Sequence, residues 1–208
     1  MKGLMDAAID SVIRHEGGFQ ADARDRGNWT GGAVGAGDLI GTNYGISAAS
    51  YPELDIQALT RDDAAAIYAR DFWPHVPSSL EPSARWFAFD TAVNSGVGRM
   101  RAFVNEDQSV LGLAALRLKF LAGLDAWDAF GRGWTRRVAG VLDDIRAWQR
   151  EVEAYANGAE VATVVVLHEL SLGDRARVAF RREPVLRGAF VWRTREREGG
   201  VRLDVRRS

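Results

Sequence analysis

Apolar residues at Leu4, Met5, Ala8, Ile9, Val12 and Ile13 recur at helical spacing and predict a first helix with one apolar face. Glu16 lies three residues after Ile13 and four after Val12, so it continues that face at the C-terminal end of the helix. Gly17-Gly18 then supplies a stop. Residues 17–43 show no periodicity and are rich in glycine, which predicts a long loop with room for a short hairpin. Loops of that length inside a compact domain tend to be functional. Thr60 reads as an N-cap, with Asp63 in the capping-box position, for a helix to about Trp73 that Pro74 stops. Another helix is predicted from about Pro82-Ser83 to about Asn94, with Gly96 after it. Its apolar residues (Ala84, Trp86, Phe87, Ala88, Phe89, Ala92, Val93) lie all round, which marks it as the buried central helix.

Further helices are predicted at about 98–106 and 110–124. A long one follows from about Trp134 to Ala156, with the face Trp134, Val138, Val141, Leu142, Ile145, Trp148, Val152 and Tyr155, and Asn157-Gly158 is expected to end it. Residues 159–208 change character: they are rich in valine and arginine and alternate in Val201-Arg202-Leu203-Asp204-Val205-Arg206, with a turn expected at Gly199-Gly200. They read as a small β-rich appendage or a loosely ordered basic tail. The chain is mainly α, and no internal repeat is visible.

Composition narrows the function classes. The 208 residues carry 27 Lys and Arg against 28 Asp and Glu, so no net basic charge argues for nucleic acid as the main partner. The absence of cysteine excludes disulfides, thiolate metal sites and a cysteine nucleophile. The start, Met1-Lys2-Gly3-Leu4, turns amphipathic at once instead of forming the apolar run of a signal peptide. Val161 to Leu172 is the nearest approach to a membrane span and is shorter than the roughly 18 apolar residues one needs. The expectation is a chain made as a soluble protein, which needs help if its substrate lies outside the cell.

Glu16 is the informative residue. A carboxylate on the apolar face of a helix, at its C-terminal end, is disfavoured in its ionised form by desolvation and by the helix dipole. Both effects keep a proton on, which a general acid for a glycosidic oxygen requires. The same position also suits a buried glutamate paired with an arginine. Glycoside hydrolysis usually needs a second carboxylate, and the loop offers Asp22, Asp25 and Asp38, although aspartates in glycine loops are commonly turn formers. Asp90 and Asn94 stand four apart on the apolar central helix, where they either hold a structural hydrogen-bond network or contact sugar. Trp29, Trp73 and Trp86 can stack on sugar rings, and Trp29, on the loop, is the best placed of them. The three histidines, His15, His75 and His168, share no ligand spacing, so no metal site is expected.

His15-Glu16-Gly17-Gly18-Phe19, Asp25-Arg26-Gly27-Asn28-Trp29-Thr30-Gly31-Gly32 and Thr42-Asn43-Tyr44-Gly45-Ile46-Ser47, in that order, resemble glycoside hydrolase family 108, a group of phage and prophage muramidases sometimes labelled secretion activators. Asp71-Phe72-Trp73-Pro74 and Phe89-Asp90-Thr91-Ala92-Val93-Asn94-Ser95-Gly96 match later blocks of the family, and the resemblance spans about residues 4–105. Leu116 to Val138 resembles the helical peptidoglycan-binding segment that follows in the family.

The resemblance implies a lysozyme-like α fold with a long glycine-rich active-site loop. It places a catalytic domain at 1–108 and a helical peptidoglycan-binding-like segment packed on it at 109–158, and leaves the basic Val/Arg-rich, β-like tail at 159–208 unmatched. It implies cleavage of the β-1,4 bond between N-acetylmuramic acid and N-acetylglucosamine, with Glu16 as the acid and Asp25, then Asp38, as candidates for the partner carboxylate. Thr42 is placed with the catalytic group, and Trp29, Asn43, Tyr44 and Asn94 with substrate binding.

The expected partner is the peptidoglycan glycan strand, acted on by a monomer with no cofactor, no metal and no membrane insertion. Release to the wall through a holin or by lysis is expected, as for an endolysin. Two rivals remain. A lytic transglycosylase also relies on one acid glutamate but leaves 1,6-anhydro ends, and a second carboxylate argues against it. A non-catalytic wall-binding or secretion-accessory protein is opposed by the presence of Glu16.

Overall fold

A computed structural model describes residues 2–171, 190–197 and 200–207. The chain divides into two compact units, Met1–Glu151 and Val152–Ser208. The first is mainly α and lysozyme-like. Helix α1 (Leu4–Glu16) leads into a loop lobe that closes with the two-residue strands β1 (Thr42–Asn43) and β2 (Ile46–Ser47). Helices α2 (Arg61–Asp71), α3 (Pro82–Ser95), α4 (Val97–Glu106) and α5 (Val110–Ala122) follow, and then the first part of α6 (Trp127–Ser171).

The helix limits follow local chemistry. Gly17 ends α1 at φ +80°, a conformation that costs glycine nothing. Thr60 and Asp63 form the capping box at the start of α2, each side chain bonded to the other's backbone N–H. Pro82 opens α3, where a missing N–H is no loss. Buried residues cover every side of α3, and Phe87 and Phe89 are wholly withdrawn from solvent, each stabilising the fold by about 1.5–3 kcal/mol. One core unites Ala8 and Val12 of α1, Tyr68 of α2, Phe87 and Phe89 of α3, Met100 of α4, Leu113 of α5 and Val141 of α6. Met5, assigned to the apolar face of the first helix, instead stands 36% exposed.

The long helix departs from its predicted limits at both ends. It begins at Trp127 rather than near Trp134, and it continues through Asn157-Gly158 to Ser171. Glycine weakens a helix interior by about 1 kcal/mol without forbidding it. At Gly131 the missing side chain is filled, because an added Cβ would lie 2.6 Å from the Trp127 ring. Asn157-Gly158 likewise lowers helix propensity but carries no steric block of the kind proline imposes.

In the second unit, strands β3 (Phe190–Arg197) and β4 (Gly200–Arg207) pair antiparallel, with Val191 opposite Arg206 and Glu196 opposite Val201. The alternating stretch at 201–206 therefore lies in a strand. Gly199, half of the expected turn, lies outside the described residues, as do residues 172–189. Among the described residues no helix is long and apolar enough to cross a membrane.

Candidate active site

Glu16 is the last residue of α1, and its side chain is 21% exposed. Three neighbours fix it. The first is the hairpin turn between β1 and β2, formed by Tyr44 at φ +50° and Gly45 at φ +78°. Two consecutive left-handed residues make the turn type that matches strand twist. Gly45 is also the point of closest approach: an added Cβ there would lie 2.8 Å from Glu16 Cγ, 2.9 Å from Glu16 Oε2 and 2.5 Å from the Tyr68 hydroxyl. Only glycine lets the turn sit on the glutamate.

The second neighbour is Tyr68, buried on α2, whose hydroxyl donates to the Tyr44 carbonyl at 2.8 Å. Burial, and then the negative charge of Glu16, push the Tyr68 pKa well above its ordinary value, so it stands as a neutral donor.

The third is Arg137 on α6, which donates from Nη1 to Glu16 Oε1 at 2.7 Å. Gly140, three residues on, explains how α6 comes so close: an added Cβ there would lie 2.8 Å from Cε1 of His15. Asp144, one further turn along, accepts from Ser11 Oγ at 2.6 Å and from Arg14 at 2.8 Å, which pins α1 to α6.

Arg137 is itself held from behind. Its Nη2 and Nε donate to Asp90 Oδ1 at 2.8 and 3.2 Å. Asp90 Oδ2 accepts from Arg117 Nη1 at 2.6 Å, and Arg117 Nη2 donates to Asn94 Oδ1 at 2.9 Å. One polar chain thus runs Glu16, Arg137, Asp90, Arg117, Asn94 across the helical core, with two carboxylates balanced by two guanidiniums. Burial pushes the Asp90 pKa up, but Arg117 and Arg137 outweigh it and hold the carboxyl below its ordinary range. Burial likewise opposes the charge on Arg137, and Asp90 and Glu16 outweigh it, so the guanidinium is held charged.

The loop lobe has its own organiser, Asn28, which is wholly buried. Its amide exchanges hydrogen bonds with the Gln20 amide at 2.8 and 3.1 Å, donates to the Asp22 carbonyl and accepts from the Thr42 hydroxyl at 2.7 Å. The Asn28 carbonyl also accepts from the backbone N–H groups of Ile40 and Gly41. Backbone pairing of Gln20 with Thr42 and of Trp29 with Leu39 closes the loop into a lobe.

Among the residues singled out in the sequence, the structure gathers Glu16 and Asn94 onto one hydrogen-bonded chain, while Tyr44 lies in the hairpin turn beside Glu16 with its carbonyl bonded to Tyr68. Thr42 enters the loop lobe through Asn28. The Asn43 side chain is buried and donates to the carbonyls of Ile56 and Leu59 at 3.3 and 3.2 Å, which ties the hairpin to the chain entering α2. Trp29 is half-buried, with its indole N–H on the Ala23 carbonyl at 2.9 Å. Asp25 is exposed and caps a short 3-10 turn (Arg26–Asn28) by accepting from the Gly27 N–H at 2.9 Å. Asp38 is exposed, and its backbone N–H donates to Thr30 Oγ1 at 2.8 Å. Neither Asp25 nor Asp38 is hydrogen-bonded to the Glu16 network.

Arg117 and Arg137 went unassigned in the sequence, though each left a signal. Arg117 interrupts the buried stripe Leu113, Ala114, Leu121, and Arg137 adjoins Val138 on the stripe that continues to Val141. A buried Asp90 called for cations on facing helices.

A partly buried glutamate closing the first helix, a small β lobe folded onto it and a buried central helix behind it define a lysozyme-like glycosidase layout. Residues 9–96 match the family described as Glycosyl hydrolase 108, so this segment of the chain is similar to that family of glycoside hydrolases. No curated protein and no solved structure gives a significant match. The matched segment holds every residue singled out for the site, whereas Arg117 and Arg137 lie beyond it.

Proposed function

We propose that this glycoside hydrolase is an N-acetylmuramidase that cuts the β-1,4 bond between N-acetylmuramic acid and N-acetylglucosamine in peptidoglycan strands. The observation that carries this reading is the setting of Glu16. Its Oε1 is taken by Arg137, while Oε2 lies beside Gly45 at the hairpin turn and accepts no hydrogen bond among the described residues. Protonated on Oε2, Glu16 donates to the leaving glycosidic oxygen, and the Arg137 guanidinium meets the charge left on the carboxylate. Pairing with an arginine and acting as an acid are compatible here, because the pair occupies one oxygen only.

Asp25 is the first candidate for the opposite face of the sugar. Its role as a turn cap engages Oδ1 and leaves an exposed carboxylate. Asp38 is the second. Separation of the acid and its partner sets the outcome, inversion at about 6.5–9.5 Å and retention at about 5–5.5 Å.

Mass spectrometry of soluble fragments from purified peptidoglycan tests the reading. The native chain is expected to release reducing N-acetylmuramic ends, and Glu16→Gln none. Anhydro ends would place the chain with the lytic transglycosylases, and intact binding without turnover would make it a wall-binding protein.

A further inference from the structure

We propose that Arg137, locked in place by Asp90, is a positioning residue that reserves Oε2 of Glu16 for the catalytic proton. The inference rests on the reading of Glu16 as the acid and adds which oxygen works and what decides it. A guanidinium has donors only, so the oxygen facing Arg137 Nη1 at 2.7 Å keeps its lone pair directed there. The proton is left to Oε2, on the side of Gly45.

Arg137 cannot follow the glutamate if it swings, because Nε and Nη2 are both committed to Asp90, which is wholly buried and braced by Arg117. The charged and titratable groups around Glu16 are Arg137 from α6, the Tyr68 hydroxyl from α2 and, behind Arg137, Asp90 from α3. Among the described residues only Arg137 hydrogen-bonds the carboxylate. Its charge also favours the anion that proton donation leaves behind.

The test uses the full chain on soluble, uncrosslinked glycan strands, read as reducing ends across pH. Glu16→Gln is the control for the underlying reading: an active Glu16→Gln overturns the acid assignment and this proposal with it. With that variant inactive, Arg137→Ala is expected to lower kcat about 100-fold, with KM little changed. Loss of the positive charge removes what favours the anion, so the alkaline limb of the kcat profile should move up. Arg137→Lys keeps a charge but loses the forked grip. It is expected to recover part of kcat and leave the alkaline limb where the native chain has it. Circular dichroism checks that each variant is folded, and if Arg137→Ala is not, the Lys variant alone decides. Native kcat in either folded variant overturns the proposal. So does a loss matched by the unfolded fraction with an unmoved pH profile, since a purely structural arginine would behave in that way.

Discussion

Arg117 and Asp90 pair at 2.6 Å with neither side chain exposed to solvent. Two charges removed from water are expensive, and their attraction offsets the loss only when the remaining hydrogen-bonding capacity is also used. Asp90 meets that condition, since Arg137 takes its other oxygen. Arg117 meets it less fully, because its buried Nε has no partner among the described residues. The pair is therefore better understood as fixing geometry behind Glu16 than as a large net source of stability.

Removing Arg117 is a different matter, because Asp90 stays buried with only one of its two guanidinium partners, Arg137, left to it. Arg117→Met is expected to lower the unfolding free energy by about 3–5 kcal/mol, measured by denaturant unfolding at neutral pH. A change under about 1 kcal/mol would mean that Asp90 is not buried as a charge.

The same pair sets an acid limit. The Asp90 pKa is lowered in the fold, so its contribution is present in full above the unfolded aspartate value of about 3.9. It is lost as pH falls from there through the folded value. The unfolding free energies of the native chain and Asp90→Asn should therefore differ most near neutral pH and converge below about pH 4. A gap that stayed constant down to pH 2 would remove Asp90 titration from the account.

Gly45 should be intolerant of substitution. Its φ of +78° disfavours any side chain, and an added Cβ would press on Tyr68 and on Glu16 at once. Gly45→Ala is expected to lower kcat by about 100-fold through displacement of the acid, more than its stability loss explains. Rates measured well below the variant's melting temperature separate the two effects.

Much of this was legible in the chain itself. Glu16 at the end of an apolar helix face, the capping box at Thr60 and the all-round apolar character of 82–95 are local patterns, and local patterns survive folding. The arginine partner of Glu16 was one of two readings the spacing left open, and its identity was not legible, because Arg137 lies 121 residues away. Asn43 shows the opposite case. It was placed with substrate binding, and the structure adds that its side-chain N–H groups donate to the Ile56 and Leu59 carbonyls, contacts that only tertiary structure supplies. Composition likewise cannot tell that Asn28 organises the loop: a single amide makes four side-chain hydrogen bonds there only because the lobe closes around it.

The two loop aspartates can be told apart by variants that keep the fold. Asp25 caps its turn through Oδ1, a bond to the Gly27 N–H that an asparagine carbonyl can also accept. Asp25→Asn should therefore leave the melting temperature within a degree or two, so any loss of turnover reports the missing charge. The Asp38 anchor to Thr30 runs through its backbone N–H and carbonyl, so Asp38→Asn also leaves the loop intact. If Asp25 serves the face of the sugar opposite Glu16, reducing-end release should fall about 100-fold or more in Asp25→Asn and stay near native in Asp38→Asn. The reverse pattern would transfer the role to Asp38. Near-native turnover in both would mean that Glu16 works without either of these two carboxylates, and the products would then be checked for anhydro ends.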